Sequence, residues 1–460
     1  MKNTYSLRKA AALGITAVST ATAFAISPSY PSSDQTDVQA SDSVRLYPEE
    51  QQRARLLKDS RVIFVGGNSE SQANRDSAQA LMSRFYVDQF RHSQDPEAPI
   101  FTFMSKNADL AMGIGATVKL SGRFDWNGYV PGADFSPYNI EMPKNPDHDK
   151  SLHASAANSV IFFSILGNHE KLGNYRAYIE GGFSGYANEG FKLKKAWVQI
   201  RDFTAGLATT TFSDPASEPD VLDPAGGNGK ASKSNVLVRY MKTFKNKWSV
   251  AGSLEFPSSQ PDVSGGNVSK HLDYVPDFAA LGQYQWNRGL SHVRLAALIR
   301  TMSYTDLTTH TNHSVTGWGA LLGSAIKIGP QLTFTAQGSV GQGISAYTGD
   351  LSNGDYDLLA DPKNSGHLYA PTTLAGTLGL KYYWLPNLTS TIALSTLRNY
   401  AKDGTHDSTY KYGQYLAANL VYNITPRMQI GMEYLAGKRM NFDGSHANAN
   451  RLQALFTASF

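Results

Sequence analysis

The amino-acid sequence predicts an all-β fold, a 16-stranded antiparallel transmembrane β-barrel with long external loops, of which the third folds into the lumen. Three observations predict this class. Apolar and polar residues alternate along unusually long segments, and short and long connections alternate between those segments. No apolar run past residue 25 approaches the ~18 residues that a membrane helix needs.

The alternation is clearest in the stretch 110–126. Its even positions are mostly apolar, as at Leu110 and Ile114, whereas its odd positions include Lys119 and Arg123. Strands of soluble sandwiches usually run for about five or six residues, so a longer period-two pattern favours a sheet with one face toward lipid. The same pattern recurs at 291–304 and 372–384, with the charged residues in phase with the polar face.

The pattern continues to the end of the chain and divides it into an even number of strands. Sixteen strands are predicted at 110–126, 158–167, 175–186, 191–201, 203–212, 235–244, 247–256, 275–286, 291–304, 315–328, 332–345, 372–384, 388–399, 411–424, 427–439 and 450–460. Tight turns separate long polar segments such as 127–157, 213–234, 257–274 and 346–371. Short turns on one side and long loops on the other are typical of outer-membrane barrels.

Aromatic residues mark the predicted strand ends. Trp126, Trp286, Trp384 and Tyr434 lie where an amphipathic ring suits the lipid headgroup level. The last strand ends on Phe460, and a terminal aromatic on an amphipathic strand resembles the signal that outer-membrane assembly machinery reads. An open sheet would leave unpaired N–H and C=O groups in lipid, so the barrel must close.

The N-terminal residues 1–25 have the features of a secretory signal peptide. Three bases, Lys2, Arg8 and Lys9, precede an apolar run that ends in Ala23-Phe24-Ala25. Loss of these bases takes the formal charge from +4 to about +1, which does not favour nucleic acid as a partner. With 0 Cys, disulfides, thiol catalysis and Cys-ligated zinc are excluded.

The remaining chain divides into two predicted parts. Residues 26–105 are expected to form a periplasmic segment, partly disordered, with a short helix at 77–91. Residues 106–460 are expected to form the barrel, which places the protein in the outer membrane of a Gram-negative bacterium.

An acidic segment follows the fifth predicted strand. Asp214, Glu218, Asp220 and Asp223 lie close together without an intervening Lys or Arg. Counted from the first strand, 213–234 is the third long connection, and in 16-stranded porins the third external loop folds inward to form the constriction. A barrel of this size leaves an aqueous lumen, so this loop would set its narrowest part.

We expect these acids to face bases on the polar phase of the strands, with Arg123, Arg294 and Arg300 the best candidates. The full set of predicted lumen-wall bases is Lys119, Arg123, Arg176, Lys195, Arg201, Arg239, Arg294 and Arg300. Acids on that face are fewer, chiefly Asp125, Glu180, Glu255 and Glu433. This predicts a modest preference for anionic, carboxylate-type solutes, although any single Arg can equally pin the loop to the wall. Lys192 and Lys194 are out of phase with Lys195 and are expected near the rim.

Several segments of the chain resemble one family, the DcaP-like trimeric porins of the outer membrane. The resemblance is clearest in "YRAYIEGGFSGY", "LKKAWVQIRDFTAGLATTTFSDPASEPDVLDPAGGNG", "SNVLVRYMKTF" and "WSVAGSLEFP". It implies a homotrimer in contact with outer-membrane lipid, through which small hydrophilic solutes diffuse. Residues 49–92 lack the sustained heptads of the long N-terminal coiled coil found in some members. The divergent first loop gives no basis for transferring a ligand preference.

Other functions remain open from the residues alone. A barrel adhesin or structural protein is the main alternative, and an outer-membrane hydrolase is a further one. Gly167-Asn168-His169-Glu170 matches one element of metallophosphoesterases, but the upstream Asp-x-His is absent. The spacing of the four loop acids does not fit an EF-hand, and "AGGNG" lacks the Lys-Ser/Thr of a phosphate loop. We therefore expect no enzyme activity, no cofactor and no metal.

Overall fold

A computed structural model describes residues 48–49, 61–65, 101–105, 109–184, 190–245, 247–352, 354–406 and 408–460. The predicted signal peptide 1–25 and the helix predicted at 77–91 lie outside the described residues. Most of the predicted periplasmic segment 26–105 does so too.

Within the described part of the chain, sixteen antiparallel strands form one closed barrel. We label them in chain order as β1 Leu110–Trp126, β2 Val160–His169, β3 Gly173–Ser184, β4 Gly190–Ile200, β5 Phe203–Thr209, β6 Ser234–Phe244, β7 Trp248–Glu255, β8 Asp277–Trp286, β9 Ser291–Asp306, β10 Thr311–Ile328, β11 Leu332–Gln342, β12 Thr372–Leu385, β13 Leu388–Tyr400, β14 Tyr410–Thr425, β15 Met428–Asn441 and β16 His446–Ser459.

The barrel closes because the last strand pairs with the first. The register of β16 and β1 runs from Asn450 opposite Trp126 to Ser459 opposite Thr117. Phe460 then continues the ladder, since its N–H donates to the carbonyl of Ala116 at 2.8 Å. Closure pairs both edges of the sheet, which is what a strand-built membrane wall requires. The prediction of a closed 16-stranded antiparallel barrel is confirmed.

The predicted strands are also confirmed, although four strand ends differ by three or four residues and the predicted loops contain short additional strands. The fifth strand ends at Thr209 instead of residue 212, because the next residues, Thr210 and Thr211, turn toward Glu255 of β7. The predicted loop 127–157 contains a short strand, Lys150–Ser155, that pairs with the second half of β1. Its six residues "KSLHAS" carry too few apolar side chains for the alternation to stand out in the sequence.

The two faces of the wall have opposite chemistry. On β9, Leu295 and Ile299 are 62% and 57% exposed, whereas Arg294 and Arg300, which have the opposite phase, are 4% and 1% exposed. Exposed aliphatic side chains on one face and buried charges on the other are the reverse of a soluble fold and suit a wall surrounded by lipid. No helix in the described ranges is long and apolar enough to cross a membrane.

The two ends of the barrel differ in their connections. At one end the strands are joined by tight turns, in which Arg201 and Arg288 adopt positive φ angles of 52° and 57°. At the other end lie the long connections, including 210–233, 256–276 and 343–371.

Aromatic rings mark both rims of the barrel. Near the tight turns, the rings of Trp248 and Tyr284 lie 4.6 Å apart between centroids. Near the long connections, the rings of Trp126 and Tyr434 lie 6.0 Å apart. Paired aromatic belts are typical of a barrel whose two rims lie at the two membrane interfaces.

Residues that precede the barrel contact its tight-turn end. The short strand Phe101–Ser105 pairs antiparallel with the start of β1 and parallel with Arg61–Val65. Glu49 forms an ion pair with Lys327 of β10. Part of the segment assigned to the periplasm therefore extends the sheet and touches the barrel.

Candidate functional site

The connection between β5 and β6, residues 210–233, is fastened to the polar face of the wall; we call it the anchored segment. The carboxylate of Glu255 on β7 accepts the Thr210 hydroxyl at 2.8 Å and the Thr211 N–H at 2.9 Å, which ends β5. Phe212 is fully buried in an apolar cluster that includes Leu298 and Leu321 of the wall. The chain is thus turned toward the wall from the first residues of the connection.

Asp214 is bound directly by the wall. Its carboxylate lies 2.8 Å from Nε2 of His292 and 3.6 Å from Nη1 of Arg294, and its side chain is completely buried. Arg294 also donates to the carbonyl of Ser213 at 2.7 Å, and Gln337 donates to the carbonyl of Asp214 at 2.9 Å. Burial would raise the pKa of Asp214, but Arg294 and His292 hold that pKa below its usual value. Asp214 is therefore an ionised anchor.

The next two acids of the anchored segment pair with lysines. Glu218 lies 3.1 Å from Lys230, which belongs to the same segment. Asp220 pairs with Lys381 of β12, and its side chain remains 65% exposed. Asp220 is therefore the most accessible of the four predicted acids.

Asp223 is buried beside other acids. Its carboxylate accepts the N–H of Phe135 at 3.0 Å and the hydroxyl of Tyr415 at 3.1 Å. Glu433 of β15 accepts the N–H groups of Leu222 and Asp223, each at 2.8 Å. Burial, with the nearby acids Asp134 and Glu433, raises the pKa of Asp223 to about 8. Asp223 therefore faces Phe135, Tyr415 and Glu433 in place of the wall bases that the sequence predicts.

The second half of the anchored segment is held by β13 and by the connection 343–371. Gly229 donates its N–H to the Ser395 hydroxyl at 2.7 Å, and a Cβ atom there would lie 2.3 Å from the carbonyl oxygen of Thr396. Only glycine allows this close approach to the wall. Asn228 donates to Asp350 at 3.0 Å.

Asp350 joins three connections at one carboxylate. It also accepts the hydroxyl of Ser136 from the first connection at 2.5 Å and the hydroxyl of Tyr410 at 2.6 Å. Burial raises the pKa of Asp350, and the hydrogen bonds from Ser136 and Tyr410 act in the opposite direction. The long connections therefore support one another and the anchored segment.

Arg300 does not pair with the anchored segment, so its predicted role opposite the loop acids is corrected. Its guanidinium lies 3.4 Å from Asp277 and 3.1 Å from Asp357, and it donates to the carbonyls of Gly343 and Ser258, each at 2.9 Å. Two carboxylates and two carbonyls surround this one cation. Arg300 thus holds the connections 256–276 and 343–371.

The remaining predicted bases, apart from Arg201, lie on the polar phase of β1, β3, β4 and β6. Two of them lie near wall acids: Arg123 is 3.9 Å from Asp125, and Lys195 is 4.0 Å from Glu180. The other three are Lys119, Arg176, whose guanidinium lies 5.4 Å from the centre of the Trp197 ring, and Arg239, which donates to the carbonyl of Thr209 at 3.3 Å. We call these five residues the basic wall.

A β-bulge adds lysines beside the basic wall. The pairing of β3 with β4 shifts between Glu180 and Gly181, so that Lys195 pairs with Glu180 and Lys192 pairs with Gly182. Lys194 also lies against Gly182. The three lysines therefore share one side of the sheet, and the prediction that Lys192 and Lys194 are out of phase with Lys195 is wrong because a bulge adds one residue to the strand.

Arg201 is not part of the wall. It occupies the tight turn after β4 and donates to the carbonyls of Leu172 and Lys171 at 3.0 and 3.1 Å. The strand pattern stops one residue earlier than predicted, which moves this side chain to an exposed rim. Its assignment to the lumen wall is corrected.

The phosphoesterase-like tetrapeptide is distributed over a strand end and a turn. Gly167, Asn168 and His169 close β2, and His169 Nδ1 accepts the N–H of Lys171 at 3.2 Å. Among the residues that the structure describes, no group of three or more His, Asp or Glu is placed to hold a metal ion.

Several residues of the site carried no readable signal in the sequence. His292 meets Asp214, the Tyr347 hydroxyl donates to Asp277 at 2.8 Å, and Asp350 meets Ser136, Asn228 and Tyr410 only because distant parts of the chain come together at the wall. The acid-rich run from Asp350 to Asp361 was the one available hint, because acids in a loop that the wall contacts need basic or hydrogen-bonding partners.

The closed sixteen-stranded wall, apolar outside and charged inside, with connections fastened to its charged face, defines an outer-membrane porin. The family model for the DcaP outer membrane protein matches residues 114–460. The chain belongs to that family, and its location is the outer membrane of a Gram-negative bacterium.

Solved structures support the fold. The outer membrane channel DcaP of Acinetobacter baumannii superposes with a TM-score of 0.67 at 21% identity, over 77% of this chain and 98% of that chain. The anion-selective porin from Comamonas acidovorans gives a TM-score of 0.49 at 9% identity, over 76% of this chain and 100% of that chain. The latter likeness carries no argument about the selectivity of this chain. No curated protein sequence matches the chain.

Proposed function

We propose that this porin lets small hydrophilic solutes diffuse passively across the outer membrane, with a modest preference for anionic, carboxylate-type solutes. The anchored segment forms the narrow part of the lumen, and the chain performs no catalytic step. One observation carries the proposal: the basic wall lies on β1, β3, β4 and β6, whereas the anchored segment contacts β7 and β9 to β15.

The charge balance of the narrow part follows from the contacts of each acid. Asp214 is neutralised by Arg294 and His292, Glu218 by Lys230, and Asp223 keeps its proton at neutral pH. Asp220, beside Lys381, is the accessible acid. The five bases of the basic wall, with Lys192 and Lys194, outnumber the neighbouring wall acids Asp125 and Glu180 and the accessible Asp220. Such a field lowers the energy of an anion in the pore relative to a cation.

The assembly is a proposed homotrimer that is surrounded by outer-membrane lipid. The exposed aliphatic side chains of the outer face supply the surface for lipid and for neighbouring protomers, and the resemblance to trimeric porins supports this assembly. Phe460 is proposed to serve as the signal for the outer-membrane assembly machinery, because it ends the closing strand.

The reversal potential across a planar bilayer tests the anion preference. With a potassium chloride gradient, we expect the wild type to favour chloride. The double variant Lys195→Gln and Arg239→Gln should lose part of that preference, because it removes two bases of the basic wall. Arg201→Gln is the matched control, since it removes a base from the rim and should leave the potential unchanged. Cation selectivity of the wild type would overturn the proposal.

A further inference from the structure

The outward face of the wall carries an unusual polar row near the long connections. The strand registers align six outward residues from β11 to β16, each opposite the next: Gly338, Gly376, Thr396, Gln414, Lys438 and Asn448. Lipid-facing positions elsewhere on these strands are mostly Leu, Ile, Met or aromatic residues. A row of small and polar residues interrupts that apolar surface.

Five residues of the row, Gly376, Thr396, Gln414, Lys438 and Asn448, line a groove of about 760 Å³. Leu378, Leu394 and Leu416 line its apolar side, and Gln414 and Lys438 line its polar side. The groove opens outward, because residues 227–229 of the anchored segment press on the inner side of the same strands.

The glycines of this row are not required by the backbone. A Cβ atom at Gly338 would have its nearest neighbour at 4.0 Å, and one at Gly376 would have its nearest neighbour at 3.4 Å, which are ordinary contacts. Neither glycine has a positive φ angle. A larger outward side chain would therefore fit the fold at both positions. Because Gly376 lines the groove, a larger side chain there would fill it.

Two bases border the groove. The guanidinium of Arg398 lies 4.9 Å from the centre of the Tyr400 ring, and Nζ of Lys438 lies 6.0 Å from the centre of the Tyr412 ring. They stand two strands apart, roughly 10 Å at the usual strand spacing. The outward positions of the described strands β12 to β16 contain no Asp or Glu. The charge of this patch is therefore positive.

The patch lies at the rim that faces the outer leaflet. Lys438 and Asn448 are two residue pairs beyond Ala436 and Asn450, and Asn450 pairs with the rim residue Trp126. Because the long connections of outer-membrane barrels are external, this rim is at the level of outer-leaflet headgroups.

We propose that this groove binds a phosphorylated glycolipid of the outer leaflet. Arg398 and Lys438 bind its phosphate groups, Gln414 and Asn448 supply hydrogen bonds to its sugar, and one acyl chain lies in the groove against Leu378, Leu394 and Leu416. An anionic headgroup joined to a hydrocarbon chain matches a basic rim joined to an apolar groove. A second copy of this chain is the less suitable occupant, because the outward positions of the sixteen described strands contain no Asp or Glu that could pair with both bases.

Native mass spectrometry of the full-length protein in detergent, titrated with diphosphoryl lipid A, tests the proposal. We expect the wild type to retain the lipid. The double variant Arg398→Ala and Lys438→Ala should bind about thirty-fold more weakly, since each basic residue contributes about five-fold to the attraction of an anionic lipid surface. Dephosphorylated lipid A should bind the wild type as weakly as diphosphoryl lipid A binds the double variant, and inorganic phosphate should not displace the lipid.

A groove-filling variant tests the apolar half separately. Gly376→Leu keeps both bases and should still weaken lipid binding. Lys242→Ala is the matched control, because it removes a basic residue of β6 near the tight turns, 2.7 Å from Asp202, and should leave lipid binding unchanged.

Two outcomes would overturn the proposal. Equal binding of diphosphoryl lipid A by the wild type and by both groove variants would show that this patch is not the site. A change in subunit number on Gly376→Leu, with no loss of lipid, would show that a second copy of the chain covers the groove.

Discussion

The ion pair between Arg294 and Asp214 provides the sharpest test of how the anchored segment is held. Arg294→Met removes the guanidinium but keeps most of the apolar stem. Asp214 would then remain completely buried with His292 as its remaining basic partner, and the carbonyl of Ser213 would lose the N–H donor at 2.7 Å. The change therefore leaves a buried carboxylate with one basic partner in place of two.

The size of the effect follows from these contacts. Removing one partner of a buried ion pair costs about 3–5 kcal/mol, because the other charge stays desolvated. His292 lies 2.8 Å from the same carboxylate and keeps part of the compensation. We therefore expect a loss near the lower limit, about 3 kcal/mol in the free energy of unfolding.

A double-mutant cycle separates this pair from general damage. Arg294→Met, Asp214→Asn and the double variant are compared by urea unfolding in lipid vesicles, together with single-channel current noise. The double variant should be more stable than Arg294→Met alone, because Asn carries no charge to leave unpaired. The noise should rise in Arg294→Met, since a loosened segment would fluctuate in the pore.

The control is Arg201→Met, which removes an Arg from a tight turn. It should change stability by less than Arg294→Met and should leave the current noise unaltered. Additive losses in the cycle, with a coupling energy below roughly 0.5 kcal/mol, would refute the reasoning.

Three further predictions concern the same assembly of connections. Burial raises the pKa of Asp223 from the ordinary Asp value of 3.8 to about 8 in the folded state, so the folded state keeps this proton to a higher pH than the unfolded state does. The free energy of unfolding should therefore fall as the pH rises from 3.8 to about 8. Asp223→Asn should flatten that fall, and an unchanged pH profile would contradict the assignment. Gly229→Ala places a Cβ atom 2.3 Å from the carbonyl oxygen of Thr396 and should displace the segment and raise current noise, whereas Gly252→Ala, which meets nothing within 4 Å, should leave the noise at the wild-type level. Arg451 lies 2.6 Å from Asp125 and donates to the carbonyl of Val130. Arg451→Met removes both contacts, so we expect the free energy of unfolding to fall by about 3–5 kcal/mol. A fall below about 1 kcal/mol would count against a buried ion pair.

The barrel could be predicted from the sequence because its determinants are local. Period-two alternation along 110–126 and similar stretches requires only neighbouring residues, and the alternation of connection lengths follows directly. The short strand Lys150–Ser155 and the bulge beside Lys194 were missed. A single inserted residue reverses the phase without changing the composition, so a fixed alternation rule assigns the wrong face beyond it.

The partners of the charged residues could not be predicted, because they are set by long-range contacts. Arg294 and Arg300 have the same phase on β9, yet Arg294 pairs with Asp214 and Arg300 pairs with Asp277 and Asp357. Arg294 and Arg300 lie at different heights on β9, and a different connection contacts the wall at each height. Similarly, the buried position of Asp223 depends on Tyr415 and Glu433, which lie far away in sequence.

The protonation of the loop acids changes the interpretation of the acidic segment. In the sequence, four carboxylates suggest one negative side of a transverse field. Their contacts instead make Asp214 an anchor, Glu218 an internal partner of Lys230 and Asp223 a buried carboxyl group. Under the proposed function, the segment narrows the lumen more than it charges it, and the basic wall gives the anion preference.

Thiol modification at Asp220 tests the central claim, that the anchored segment narrows the conducting path, most directly. The chain has 0 Cys, so Asp220→Cys provides a single reactive thiol at an exposed position of the segment. A cationic methanethiosulfonate reagent is added during single-channel recording, with Asp443→Cys in the connection between β15 and β16 as the matched control. We predict a stepwise fall in conductance for Asp220→Cys and no change for Asp443→Cys. Complete labelling of Asp220→Cys, verified by mass, without a change in conductance would contradict the account.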